Sequence, residues 1–115
     1  MPYQEQLADR LRIALTDHNA VEERKMFGGL CIMKRGHMLC GVMGEEFMFR
    51  VGADQMDHAL ALPGARPVQF GNNRPMTGFV FVAAQAVAGE VIDDWIAMVD
   101  GFNQTLPPKT PKPAK

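Results

Sequence analysis

Residues 21–51 read VEERKMFGGLCIMKRGHMLCGVMGEEFMFRV, and the period of this stretch decides the fold class. Short apolar segments (VEERKMF, LCIM, MLCGVM, EFMFRV) alternate with glycine-bearing turns. Lys34-Arg35-Gly36-His37 and Gly44-Glu45 are turn sequences, and Gly28-Gly29 permits a bend or a close backbone approach. The pattern predicts a meander of strands joined by hairpins. Several of these strands are almost wholly apolar. That predicts burial on both faces, or one face against helices and the other against a partner.

Outward from this meander the period lengthens. Leu7, Leu11 and Leu15 recur every fourth residue and predict an amphipathic helix over 3–18, with Asp9, Arg10, Arg12 and Asp17 on its wet side and His18-Asn19 as its stop. Residues 53–62 predict a short helix with Met56, Ala59, Leu60 and Ala53 inward, ended by Pro63-Gly64. Val68-Gln69-Phe70 reads as a brief strand, Gly71-Asn72-Asn73 as a loop, and Gly78–Ala84 as the last long strand. Residues 89–106 carry Val91, Ile92, Trp95, Ile96, Val99, Phe102 and Leu106 on one helical face, with Trp95 and Phe102 expected to press into the sheet. The expected fold is α+β: two layers, an antiparallel sheet of about five strands packed against N-terminal, middle and C-terminal helices. Residues 1–106 form the one expected domain, and residues 107–115 (PPKTPKPAK) a disordered, basic, Pro-rich tail.

Charge and composition narrow the function classes. The chain has 115 residues and a formal net charge of −1. Setting aside Lys109, Lys112 and Lys115 of the tail leaves nine basic and thirteen acidic residues, a body of −4. Duplex DNA is bound largely by cations that neutralise phosphates, so direct DNA binding is expected to be weak or absent. Residues 24–74 reverse the sign, and a basic middle between acidic flanks is either an anion-attracting surface or an ordinary mixed one. No apolar run approaches the ~20 residues of a membrane span, and residues 1–10 lack the pattern of a signal peptide. A cytoplasmic protein with no membrane association is expected.

A family resemblance covers about residues 3–106. Arg24-Lys25-Met26-Phe27-Gly28-Gly29-Leu30-Cys31 resembles the Met-Phe-Gly-Gly signature of the TfoX N-terminal domain. The similarity runs on through Gly36, Phe49-Arg50-Val51, Pro63-Gly64-Ala65-Arg66-Pro67 and Arg74-Pro75-Met76-Thr77-Gly78 to the strand at 79–82. The resemblance implies a small α+β domain. Some larger members regulate natural competence with a cyclic-AMP receptor protein and carry a C-terminal helical domain as well. The likeness here is to the N-terminal domain alone.

Three constellations could carry function. At the Met26–Gly29 corner, Gly28 and Gly29 beside Lys25 serve either as a structural bend or as a backbone approach site for an anion or a partner strand. Arg50 lies in an otherwise apolar strand and needs a partner. It either pairs with Asp54, Asp57 or an acid of the last helix, or presents an open planar fork to a carboxylate or phosphate. Arg66 and Arg74 flank Pro-rich loops and complete the candidate binding set. Cys31 and Cys40 stand directly opposite if the hairpin turns at Arg35-Gly36, with Cβ atoms ~5 Å apart, which makes them a candidate redox pair. A bulge at Gly36 would shift the register and leave two buried structural thiols.

His18, His37 and His58 share no metal-ligand spacing, and no nucleophile–base order, P-loop or GxGxxG is present. No catalytic residue, cofactor or metal is expected. The sequence therefore predicts a non-enzymatic regulatory or protein-interaction domain, with a protein partner or a homodimer. The alternative is a small-anion ligand-binding protein or cryptic enzyme using the Arg50 region.

Overall fold

The apolar–turn alternation of residues 21–51 folds as four consecutive antiparallel strands: β1 (Val21–Met26), β2 (Gly29–Lys34), β3 (His37–Met43) and β4 (Glu46–Arg50). The computed structural model describes residues 4–18, 21–26, 29–70, 74–87 and 89–106, and the side chains at 26, 69, 70 and 74–76 lie outside that description. Expectations for Asn19, Phe27, Gly28, the 71–73 loop and the 107–115 tail fall outside the described residues. Helix α1 (Glu5–Ala14) precedes the meander. After it come a 3-10 turn (Ala53–Gln55), α2 (Met56–Leu60), β5 (Ala65–Phe70), β6 (Arg74–Ala83), a second 3-10 turn (Ala84–Val87) and α3 (Val91–Thr105).

The sheet has six strands in the order β1-β2-β3-β4-β6-β5, one more than the sequence predicts. The strand read as a brief one over 68–70 is a full member of the sheet, β5, which starts at Ala65 and pairs with β6. Arg66-Pro67 disguises the start of β5, since proline cannot serve an inner ladder. β5 is an edge strand, where proline is tolerated, and its register shifts between Pro67 and Gln69. The other edge, β1, presents exposed Glu22, Glu23, Arg24 and Lys25. Proline, bulges and charge all discourage edge-to-edge aggregation.

All three helices bury their apolar residues in one cluster on one sheet face: Leu7, Leu11 and Leu15 from α1 and its last turn, Ala59 from α2, and Ile92, Trp95, Ile96 and Val99 from α3. The indole of Trp95 stacks on Phe49 with ring centroids 4.9 Å apart and planes 11° from parallel. The opposite face holds a smaller, strand-only cluster of Cys31, Met33, Met38, Met48, Val68 and Phe81. Burial on both faces accounts for the unbroken apolar runs of β2, β3 and β4. Two expected inner-face residues, Ala53 and Val91, are exposed.

Arginines expected on wet surface are tied into the scaffold. Arg10 turns inward, donating to the carbonyl oxygens of Ala84 and Val87 with its Cζ 5.1 Å from the Phe47 ring centroid. Arg12 pairs with Glu5, Asp9 and Glu23, joining α1 to the edge of the sheet. Lys34, at the end of β2, pairs with Asp100 of α3 and contacts His18 Nδ1 at 3.0 Å. Buried Asn103 donates to the Lys34 carbonyl at 3.0 Å, and Arg35 donates to the Asn103 carbonyl at 3.1 Å. These contacts dock the C-terminal half of α3 on the β2–β3 hairpin.

Two of these carboxylates predict an acid-side loss of stability. Hydrogen bonds from Arg12 hold Glu23 below the usual carboxylate range, against an opposing effect of burial. Burial pushes Asp100 up, but hydrogen bonds from Lys34 and Gln104 outweigh it and leave the group low. A carboxylate with a depressed folded pKa contributes stability that is present above its unfolded value of about 4 and lost as pH falls through the folded value. Stability should therefore decline as pH drops below about 5. The decline should be shallower in the Glu23→Gln/Asp100→Asn double variant, as read by urea midpoints across pH. Equal slopes would remove this assignment.

Candidate interaction site

Arg50 is the last residue of β4, directly opposite Phe79 of β6. Its alternation with buried Phe49 and Val51 turns it away from the helix-covered core. There its Cζ lies 5.3 Å from the Phe79 ring centroid and 5.5 Å from that of Phe102 in α3. Two aromatic faces thus hold the planar guanidinium. Among the described residues, Arg50 makes no ion pair and no hydrogen bond, so the pairing considered with Asp54, Asp57 or an acid of α3 does not form. Burial lowers its pKa, meaning that the cation is partly desolvated without a compensating anion.

The backbone around it is shaped by glycine. Val51 and Gly52 both donate to the Gly78 carbonyl, at 2.7 and 3.0 Å. Gly52 has φ 88° and ψ 154°, a region open essentially to glycine alone. A Cβ there would run into the Phe102 ring. Phe102 therefore lies over Gly52 and Arg50, half-buried, rather than pressing into the sheet beside Trp95. Phe102 also lines a groove of about 480 Å³ with Val51, Asp54, Gln55, Ala97, Met98, Gly101 and Thr105.

The remaining candidates do not converge on Arg50. Arg66 sits on the same face, opposite Phe81 and two positions along β6. Its Nε and Nη2 donate to the two Glu46 oxygens at 3.0 and 2.5 Å, and its Cζ is 4.7 Å from the Phe81 ring centroid. Arg66 is thus a paired cross-strand clamp. Arg74 opens β6 opposite Phe70, and its side chain lies outside the described residues. Lys25 is exposed on β1, at the far side of the sheet from β5. Gly29 is buried at the start of β2, where an added Cβ would strike the Val42 carbonyl oxygen of β3. Its lack of a side chain serves strand packing.

The family model of the TfoX N-terminal domain matches residues 14–98, which take in all six strands and the first half of α3. This chain belongs to the TfoX N-terminal domain family. No curated protein and no solved structure matches it. Among the described residues of this TfoX N-terminal domain, no helix is long and apolar enough to cross a membrane.

Of the two registers the sequence leaves open for the hairpin, the structure takes one in which Cys31 and Cys40 do not stand opposite each other. The hairpin turns at Arg35-Gly36, both with positive φ (56° and 84°), and the two-residue loop pairs Lys34 with His37 and Met33 with Met38. A bulge then intervenes, so Ile32 faces Cys40 and Cys31 faces Gly41. The bulge sends Leu39 and Cys40 together into the helix-covered core, whereas Cys31 joins the strand-only cluster. Both thiols are free and buried. Burial raises both pKa values, and the neighbouring Cys31 adds to the effect at Cys40. The folded domain should therefore resist thiol reagents until denatured, and mild oxidant should yield no Cys31–Cys40 peptide in mass spectrometry. A cross-linked peptide would contradict the register.

The aromatic shelf is the part of the site least legible in the sequence. Phe79 is separated from Arg50 by 29 residues and Phe102 by 52, and only strand pairing and the docking of α3 unite them. Arginine in an apolar strand without an acid at nearby same-face positions is the one available signal.

Proposed function

We propose that this chain acts by binding another protein, as a regulatory domain, and does not catalyse a reaction. The supporting observation is how its reactive groups are used. Arg12, Arg66 and Lys34 are held in ion pairs, and both thiols are buried. Among the described residues, no group of His, Cys, Asp and Glu could hold a metal ion. Membership of the TfoX N-terminal family supports a place in gene regulation, including the competence regulation of longer relatives. The charged and interrupted sheet edges favour a different partner over a second copy. Affinity capture from the native cell, followed by reconstitution with the purified partner, tests the reading. Failure to reconstitute any complex would overturn it. Sedimentation separates the homodimer, and salt titration separates direct DNA binding, for which tight, salt-insensitive affinity would count against protein-mediated regulation.

A second reading, binding of a small anion, is favoured by one observation: Arg50 has no acidic partner among the described residues.

A further inference from the structure

We propose that Arg50 is the anchor for a carboxylate side chain of the partner, received beside the Phe102 groove; this rests on the protein-binding reading. The starting point is a contrast among arginines. Of those whose side chains are described, Arg10 and Arg35 donate to backbone carbonyls, while Arg12, Arg24 and Arg66 pair with carboxylates. Arg50 alone among them has neither. It is also half-buried, so it bears a desolvation cost that the two rings offset in part and no anion among the described residues offsets. The one buried side-chain polar atom without a partner among the described residues is Asn103 Oδ1, so the Arg50 nitrogens are not sealed from solvent. The fork is thus restrained and accessible, with its N–H groups unused.

Restraint matters energetically. A guanidinium held between Phe79 and Phe102 loses less freedom on binding than a free chain does, and its two-pronged donor edge matches a carboxylate. The groove at Phe102 adds apolar contact from Ala97 and Met98 for a residue flanking the acid. The single charge of a carboxylate fits better than a phosphate. Asp54 lines the same groove, and the chain outside its tail carries net −4. A dianion would meet that field with one cation to offset it.

The test uses the full-length, nitrogen-15-labelled chain, with three probes: benzoate, its neutral counterpart benzamide, and inorganic phosphate. Benzoate is expected to shift the Arg50 Nε–Hε signal and the Val51 and Phe102 amides saturably. Benzamide should not, and phosphate should bind at least about tenfold more weakly. Arg50→Gln is expected to weaken benzoate at least about tenfold, Arg50→Lys to restore part of the loss, and Phe102→Leu to weaken it with Arg50 still present. No saturable shift at Arg50 in the unmodified protein would overturn the proposal whether or not the variants fold. Equal responses in Arg50→Gln, or tighter phosphate binding, would also overturn it. If a reconstituted partner binds Arg50→Gln as well as the unmodified chain, the Arg50 site is wrong while the protein-binding reading stands.

Discussion

Trp95→Ala should remove about 4 kcal/mol of stability, a large part of the roughly 5–15 kcal/mol available to a domain of this kind. Trp95 is only 2% exposed and stacks on Phe49, which itself stacks on Phe47 at 5.9 Å. The indole thus links α3 to the middle of the sheet. Truncation removes its transfer free energy and leaves a cavity bounded by strands that cannot collapse without breaking their ladder. Trp95 is the only tryptophan in the chain, so the loss must be read by circular dichroism in urea, not by intrinsic fluorescence. A change below about 1 kcal/mol would mean that α3 does not dock as described.

Gly52→Ala should cost about 3 kcal/mol, although it adds a single methyl group. Two effects combine. The backbone at φ 88° and ψ 154° is strained for any residue with a Cβ, and the new methyl collides with the Phe102 ring. Gly44→Ala is the matched control. Gly44 also has positive φ, at 57°, but an added methyl there would meet nothing within 4 Å, so about 1 kcal/mol of backbone strain is expected alone. Removing the ring should separate the two effects. In a double-mutant cycle, Gly52→Ala with Phe102→Ala should lose less than the sum of the single losses. Additive losses, or equal costs at Gly44 and Gly52, would show that the ring does not rest on the glycine. Because Phe102 also holds the Arg50 guanidinium, Gly52→Ala should shift the Arg50 Nε–Hε signal as well.

The candidate site is half legible in the sequence. Arg50 stands out as a cation among Phe47, Met48, Phe49 and Val51, since a lone charge in an apolar strand demands an explanation. Its surroundings do not, because the explanation is aromatic and comes from two distant elements. Arg66 reads as a loop residue because Pro67 follows it, yet β5 includes it and sets it opposite Phe81 of β6, within diagonal reach of Glu46 on β4. The cysteine register is not legible in the sequence for a different reason. The turn at Arg35-Gly36 forms as its residue types require, but the bulge lies beyond it, where Leu39 and Cys40 both gain burial under the helices.

Local patterning thus sufficed for the element types, the hairpin turn and the α+β class, since periodicity and turn chemistry act over a few neighbouring residues, and the family followed from the resemblance carried by Met26-Phe27-Gly28-Gly29 and the segments after it. Long-range packing settled the sixth strand, the separation of the two thiols onto opposite sheet faces, and the aromatic seat of Arg50. Those outcomes depend on which buried surfaces compete for the same space, and that competition exists only once strands and helices have met.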